Sequence, residues 1–237
     1  MDMKLQFLGR GAAFNPQQGN TAACLREGGR LLLLDCGESV FGELMRRGLL
    51  EGVREVTVAL SHFHSDHCGS LGSLGHYCRF ALRAELRFVV PDDDAYLASL
   101  KALLRLFGVP EDGYSLIPSG GALGFSAVER LELVPTRHAP DMPCYSFVLE
   151  TAEGGVFYSA DTCTEEPLLD FMRTHPAFER AYVDVTASEG AAAVHLPLRR
   201  LAEAVPPALR SRVDIMHISD DTCITQGRQL GFGIVTA

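Results

Sequence analysis

The stretch Ser61-His62-Phe63-His64-Ser65-Asp66-His67-Cys68-Gly69 concentrates metal-ligand side chains, with three histidines and an aspartate within six positions. In an extended segment, His62 and His64 project to the same side and can share one ion. Asp66 and His67 follow where the chain turns, so they can face a second ion. Imidazole suits Zn²⁺, and a carboxylate suits Zn²⁺ or a harder ion such as Mn²⁺. A polar surface loop is the alternative, but it is more typical of one isolated histidine.

The segments around this motif predict how it is held. Residues 56–60 are an apolar run that predicts a buried strand, and residues 71–74 predict the start of a helix. Three further candidate ligands each follow a predicted strand, at 128–136, 156–159 and 213–216: they are His138, Asp161 and His217. Because all of these strands end at their ligand, we expect the three side chains to reach the same rim of the sheets as the His62 loop.

The remaining pattern predicts two β-sheets packed together with helices outside. Further strands are expected at 4–8, 21–25, 31–34, 86–90, 145–149 and 181–185, and helices at 40–47, 95–107, 166–174 and 197–205. The acids at 92–94 indicate a helix start rather than a metal site, because anionic groups complement the helix dipole. Residues 108–124 are expected to be mostly loop, and the tail near residue 232 to add an edge strand. Since no linker is visible, residues 1–237 are expected to form one domain.

Composition narrows the class of protein. The 237 residues are 47% apolar and 22% charged, which is typical of a soluble globular chain. A net charge of −9 disfavours binding to long nucleic acid. The first residues are too few and too polar for a signal peptide, and no apolar run approaches the roughly 18 residues of a membrane span. Seven scattered cysteines without a CxxC pair indicate reduced thiols in a cytoplasmic protein.

The pattern His62-x-His64-x-Asp66-His67 resembles the signature of the metallo-β-lactamase fold, a superfamily of mostly dinuclear metallohydrolases. The resemblance implies an α/β protein, an αββα four-layer sandwich of two mixed β-sheets packed face to face. It implies two divalent ions, Zn²⁺ or else Mn²⁺, the first bound by His62, His64 and His138, the second by Asp66, His67 and His217, with Asp161 bridging. A redox branch of the superfamily has a glutamate at the position of His64, so this histidine favours zinc-type hydrolysis.

The opening of the chain is similar to the branch that holds tRNase Z and the related small phosphodiesterases, at Phe7-Leu8-Gly9, Asn20-Thr21 and Leu34-Asp35-Cys36-Gly37. In that branch the aspartate at the place of Asp35 supports the metal loop as a hydrogen-bond acceptor. The alternative is a turn aspartate that caps the following helix. Tyr145, seven residues after His138, fits the same branch.

His195 stands at a place where tRNase Z and the cyclic-phosphate phosphodiesterase of phosphonate breakdown have a non-ligand histidine. The resemblance implies that it contacts the scissile phosphate and protonates the leaving oxygen. The alternative is a helix-capping or surface histidine. His195 and Asp66 are therefore the predicted catalytic residues, with Asp66 also orienting or deprotonating a hydroxide that bridges the two ions.

The leading hypothesis is a phosphodiesterase for a small cyclic or nucleotide-like phosphate. An acyl hydrolase of lactone, thioester or β-lactam type is the alternative, because it would share the metal site. Asp220 and Asp221, which follow His217, count against the phosphodiesterase, because they would repel a phosphate unless they point away. Processing of tRNA 3′ ends is disfavoured by the acidic charge and the lack of a long basic insertion. A metal-binding scaffold without turnover is disfavoured by the complete ligand set. A small-molecule substrate is expected, and a homodimer is expected by analogy alone.

Overall fold

The computed structural model describes residues 5–188 and 193–237. The strands are β1 Gln6–Gly9, β2 Ala22–Glu27, β3 Arg30–Leu34, β4 Glu55–Ala59, β5 Glu85–Val90, β6 Ser115–Pro118, β7 Arg130–Thr136, β8 Cys144–Glu150, β9 Val156–Tyr158, β10 Arg180–Asp184, β11 Val213–Met216 and β12 Gly233–Ile234. The α-helices are α1 Val40–Arg46, α2 Ser65–Cys68, α3 Leu71–His76, α4 Asp94–Leu106, α5 Glu166–Thr174, α6 Leu198–Ala204 and α7 Asp221–Gln229.

The strands form two six-stranded sheets, in the orders β1-β2-β3-β4-β5-β6 and β12-β11-β10-β9-β8-β7. In each sheet the first three strands in chain order pair antiparallel, and the strands that follow them along the chain pair parallel. The two halves of the chain therefore build similar mixed sheets. The predicted fold class, two mixed sheets with helices, is confirmed.

The core lies between the sheets and continues under the outer helices. Strand β3 is an unbroken leucine run whose four leucines are fully buried, as expected for a strand covered on both faces. Phe147 of β8 stacks on Tyr158 of β9, with ring centroids 5.6 Å apart, in the cluster shared by both sheets. Its neighbour Val148 points the opposite way, into the cluster that α5, α6 and α7 cover.

Three details differ from the sequence-based expectations or sharpen them. The segment expected to be loop at 108–124 contains β6, which pairs parallel with β5 at the edge of the sheet. Its residues are mostly exposed, so its sequence lacks the apolar alternation of a strand. The first strand lies at Gln6–Gly9 rather than 4–8, and Lys4 is outside the described residues. As expected, Asp93 caps α4 by accepting hydrogen bonds from the backbone N–H groups of Ala95 and Tyr96.

Gly37, just after β3, allows two loops at the rim to touch. A Cβ atom at this position would lie 1.9 Å from the backbone oxygen of Asp66 in α2. We therefore expect Gly37→Ala to lower the free energy of unfolding by about 1–3 kcal/mol, the usual cost of overpacking. Gly42→Ala in α1 is the matched control, since nothing lies within 4 Å of its added Cβ and alanine favours a helix. Thermal denaturation checks both, and equal midpoints would contradict the prediction.

Candidate metal centre

Loops from the ends of four strands meet at one rim of the sheets. His62 follows β4, His138 follows β7, Asp161 follows β9 and His217 follows β11. The seven predicted ligands fall into two groups: His62, His64 and His138 form the first, and Asp66, His67, Asp161 and His217 form the second. Within each group the donor atoms all lie within 4.8 Å of one another. The structure thus brings together every residue that the sequence pattern singled out as a ligand.

The first group is a cluster of three imidazoles. Nδ1 of His64 lies 3.0 Å from Nε2 of His62 and 3.2 Å from Nε2 of His138. The outer nitrogen of His138 donates a hydrogen bond to the carbonyl oxygen of Val194, at 2.7 Å. Because that nitrogen carries the proton of the neutral ring, the lone pair of Nε2 points into the cluster. Such converging lone pairs suit a cation.

The second group surrounds the carboxylate of Asp161. Its Oδ1 lies 3.2 Å from Nε2 of His67 and 3.3 Å from Nε2 of His217. Its Oδ2 lies 3.6 Å from Nε2 of His138, which belongs to the first group. Asp66 completes the group, with Oδ2 3.4 Å from His67 and 3.5 Å from His217. Asp161 therefore stands between the two groups and offers one oxygen to each.

Asp35 supports the metal loop from behind. Its carboxylate accepts hydrogen bonds from the backbone N–H and the hydroxyl of Ser61, at 2.8 and 3.0 Å, and from Nδ1 of His67 at 2.9 Å. Since the Ser61 hydroxyl donates to Asp35, it accepts from Nδ1 of His62, at 2.9 Å. Both histidines consequently turn Nε2 inward. Asp35 does not cap α1, whose N-cap residue is Ser39, so the hydrogen-bonding role is the one that the geometry supports.

Backbone strain accompanies this arrangement. Among the described residues, four that are not glycine have a positive φ, and three of them lie at the rim: Asp35 at 63°, Ala160 at 49° and His217 at 57°. Such conformations cost of order 1–3 kcal/mol each and persist where the surroundings determine them. The strain falls where a strand must end abruptly and direct a polar side chain at its neighbours.

The charge of the centre favours a cation. Four carboxylates are buried here and at most 6% exposed, those of Asp35, Asp66, Asp161 and Asp184. Burial lowers the pKa of the His67 imidazole, but Asp161 and Asp35 outweigh burial and hold that pKa well above its usual value. Burial also lowers the pKa of His217, and Asp161 and Asp184 instead raise it to about 10. Buried carboxylates are costly unless they are paired with positive charge, so this centre is stabilised by a cation.

Two buried atoms show that the residues fit a metal. Across the described residues, Nε2 of His67 and Oδ1 of Asp161 have no hydrogen-bond partner, although they face each other at 3.2 Å. Unpaired buried polar atoms are costly, so a pair of them directed at one point indicates an ion-binding position. Imidazole nitrogens and carboxylate oxygens are the donors that Zn²⁺ and Mn²⁺ accept.

His195 lies beside the metal centre without belonging to the predicted ligand set. Its Nδ1 is 2.7 Å from Oδ2 of Asp184, and its ring centroid is 5.1 Å from that of His138 and 5.0 Å from that of His217. Burial lowers the pKa of His195, but the adjacent Asp184 carboxylate outweighs it and raises the pKa above its usual value. Asp184 thus favours the protonated form of the His195 imidazole beside the centre.

Asp184 is the residue at this site whose role the sequence did not reveal. It ends β10 and is fully buried. Oδ2 accepts from His195 and from the backbone N–H of Thr162, while Oδ1 lies 3.3 Å from Nδ1 of His217. One carboxylate therefore orients His195 and lies against a predicted ligand, His217. An acid at the end of an apolar run was the available signal, the same one that marked Asp161.

A cavity of about 670 Å³ opens over the metal centre. This volume is within the range of roughly 300–1,000 Å³ that is typical of small-molecule sites. Its floor carries polar groups from His64, Asp66, His138, Asp161, Asp184, His195 and His217. Its walls are largely apolar and come from Ala12, Ala13, Phe14, Ala139, Pro140, Val185 and Val194. The arrangement suits a ligand with one charged end and one apolar or planar end.

Three residues that the sequence pattern singled out do not line the cavity. Tyr145 is buried, packs against Tyr96 and donates its hydroxyl hydrogen to Asp93 at 2.6 Å, so it supports the start of α4. Asp220 caps α7 by accepting from the backbone N–H of Thr222, and Asp221 begins that helix. Both acids are exposed. Of this segment, Ser219 lines the cavity and the two acids do not. The expected repulsion between these acids and a bound phosphate is therefore weakened.

None of the helices formed by the described residues has both the length and the apolar character needed to cross a membrane.

Comparison of the coordinates with solved structures shows the metallo-β-lactamase fold. The metallo-β-lactamase fold protein YhfI from Bacillus subtilis is similar over 98% of this chain and 94% of its own, with a TM-score of 0.71 and 17% sequence identity. A diphosphatase of the PhnP family gives a TM-score of 0.70 at 16% identity, again over 98% of this chain and 94% of that chain. The short form of human tRNase Z gives 0.66 at 17% identity, over 98% of this chain and 96% of that chain. The resemblance inferred from the motif is confirmed.

Sequence comparison gives the family. The anti-Pycsar protein Apyc1 of Saccharibacillus brassicae is 30% identical over 231 residues, which cover 92% of this chain and 91% of that protein. The anti-Pycsar protein Apyc1 of Bacillus phage 010DV004 is also 30% identical, over 92% of this chain and 90% of its own length. The family model described as anti-Pycsar protein Apyc1 matches residues 3–105 and 115–236. The chain belongs to the anti-Pycsar Apyc1 family of metallo-β-lactamase fold proteins.

Proposed function

We propose that this chain is a metal-dependent phosphodiesterase that cleaves a small cyclic or nucleotide-like phosphate. The observation that carries the proposal is the pair His195 and Asp184 beside the metal centre, on the floor of the cavity. Nδ1 of His195 is engaged by Asp184, so Nε2 is the nitrogen available to a substrate oxygen. A departing alkoxide requires a proton, and a positioned imidazolium supplies it.

The residues of the centre would hold two divalent ions, which we propose to be Zn²⁺, with Mn²⁺ as the alternative. His62, His64 and His138 would bind one ion and Asp66, His67 and His217 the other, with Asp161 shared between them. Bound ions would lower the pKa of a water molecule and neutralise charge on a phosphoryl oxygen.

The protein's own residues would position the reactants. His195 would hold its proton toward the leaving oxygen, and Asp184 would keep that ring oriented and charged. Asp66, which lies on α2 and reaches the cavity floor, would orient the attacking water. The apolar walls would exclude other water molecules from the reacting groups.

Of the competing functions, tRNA processing and a silent scaffold fit the site less well. An acyl hydrolase would share the metal centre, and a lactone also releases an alkoxide, so turnover on a phosphodiester and on an ester separates these two functions. Processing of tRNA is disfavoured by a net charge of −9, and a cavity of about 670 Å³ suits a small molecule. A silent scaffold has no need of a complete ligand set in two adjoining groups.

We also propose a cytoplasmic location and a small-molecule substrate. All seven cysteines are free, and six of them are buried, which supports a reducing compartment. The homodimer expected by analogy stays a prediction.

Turnover on two model substrates that release the same chromophore tests the function. We expect hydrolysis of bis-p-nitrophenyl phosphate in preference to a p-nitrophenyl ester. Removing metal with a chelator should lower the rate by at least about 100-fold, because bound ions would activate the attacking water and neutralise charge on the phosphate. Added Zn²⁺ or Mn²⁺ should restore it.

Other outcomes would redirect the proposal. Ester cleavage alone would favour an acyl hydrolase. Preferential removal of a 3′ trailer from precursor tRNA would favour tRNA processing. A fully metal-loaded protein without turnover on any of these substrates or on a cyclic nucleotide would indicate a scaffold.

A further inference from the structure

Phe14 stands out among the apolar side chains because it is entirely exposed. Its relative exposure is 100%, the highest among the large hydrophobic residues of the described chain. The other exposed ones are Met45, Phe80, Leu106, Leu116 and Leu169, and none of them lines the cavity, whereas Phe14 does. The ring does not stabilise the fold by burial, so core packing does not explain a phenylalanine on the cavity wall.

The loop that carries Phe14 is fixed to the metal centre. The backbone N–H of Ala12 donates to the carbonyl oxygen of Ile218 at 3.1 Å, and the side chain of Asn15 donates to the same oxygen at 3.0 Å. The loop closes on itself through a hydrogen bond from the N–H of Asn15 to the oxygen of Ala12, at 2.9 Å. Ile218 directly follows His217. The backbone of the loop is therefore set relative to the ligands, and it carries Phe14 on the cavity wall.

The cavity also holds more space than a phosphate group needs. A phosphate at the metal centre would meet the histidines and aspartates of the floor, and the rest of the molecule would lie along the walls. Those walls offer small apolar surfaces, such as Ala139 and Val194, together with one open aromatic face. A flat heteroaromatic ring can stack on such a face. Stacking of this kind accepts any base, because every base has a π-face.

We infer that Phe14 is a substrate-positioning residue, whose ring stacks on a planar base attached to the phosphate that lies at the metal centre. The inference rests on the proposed function and deepens it, because it names the residue that would hold the planar part of a nucleotide-like substrate. The stack would form in the ground state and persist in the transition state. Its loss should therefore raise KM and leave kcat nearly unchanged.

The test compares substrates with and without a base. Adenosine and uridine 3′,5′-cyclic monophosphates carry one, and methyl ribofuranoside 3,5-cyclic phosphate has the same cyclic phosphate without it. For Phe14→Ala we expect kcat/KM on the two nucleotides to fall roughly 5- to 100-fold, through KM, as for loss of one base stack. For the base-free substrate, kcat/KM should change less than about two-fold, because this substrate has no base to stack on residue 14.

Two variants separate stacking from other effects. Phe14→Tyr keeps a stacking face and should retain nucleotide turnover. Phe80→Ala removes another phenyl ring that is 73% exposed and remote from the cavity, so it should behave as the wild type. Gel filtration and thermal denaturation of Phe14→Ala should match the wild type, because the ring makes no core contact.

The outcomes are distinguishable. If the wild type cleaves all three phosphates and Phe14→Ala loses the same factor on each, the stacking role is wrong while the proposed function stands. If Phe14→Ala changes the oligomeric state together with turnover on the base-free substrate, the ring serves a contact between copies instead. If the wild type cleaves none of the three, the proposed function fails and the inference fails with it.

Discussion

Replacing Asp161 by asparagine is expected to lower phosphodiester hydrolysis by about 1,000-fold or more, equivalent to about 4 kcal/mol of transition-state stabilisation. Asp161 is the one predicted ligand whose two oxygens face both ligand groups, at 3.2 Å from His67 and 3.6 Å from His138. An amide has a single oxygen and no charge, so it cannot serve two cations in this way. The centre should retain fewer ions and bind them more weakly.

Metal analysis alongside kinetics makes this prediction specific. Bound Zn²⁺ or Mn²⁺ per chain should fall in Asp161→Asn, while circular dichroism should show the fold intact. Asp112→Asn is the matched control, because Asp112 is exposed and paired with Arg79 far from the centre. Near-normal turnover with a full complement of metal in Asp161→Asn would contradict the bridging position.

That the predicted ligands meet at one rim was predictable, because His62, His138, Asp161 and His217 each follow an apolar run, whereas their division into two groups came from the family resemblance. The apolar runs before His62, His138, Asp161 and His217 fixed where the strands end, and parallel strand ends meet at one edge. The spacing of His62 and His64 placed both on one side of an extended segment. Local sequence therefore carried the information, since strand direction and side-chain alternation are local properties.

The features that escaped sequence reasoning depend on tertiary contacts. Asp184 acquires its role only because β10 lies between β9 and β11, which brings it between His195 and His217. Strand β6 is stabilised by its pairing with β5 rather than by a buried face, so its exposed residues gave no periodic signal. Tyr145 was grouped with the phosphodiesterase features by its spacing from His138, but its hydroxyl is directed at Asp93.

His195→Ala should lower turnover on a cyclic nucleotide by at least about 100-fold, the usual contribution of a general acid. The effect should depend on the leaving group. An alkoxide requires protonation as the bond breaks, whereas p-nitrophenolate leaves readily without it. The loss should consequently be much smaller on bis-p-nitrophenyl phosphate. Metal content should be unchanged, because His62, His64 and His138 on one side and Asp66, His67 and His217 on the other are intact.

This dependence on the leaving group separates proton donation from a structural role. If His195 only packed beside His138 and His217, its removal would disturb the metal centre and slow both substrates by the same factor. If it donates a proton, the ratio of the two rates changes while the metal content stays constant. His76→Ala, at an exposed position at the end of α3, is the control and should change neither rate. Equal losses on both substrates would mean that His195 has a structural role. They would also weaken the phosphodiesterase proposal, because that proposal depends on the His195 and Asp184 pair.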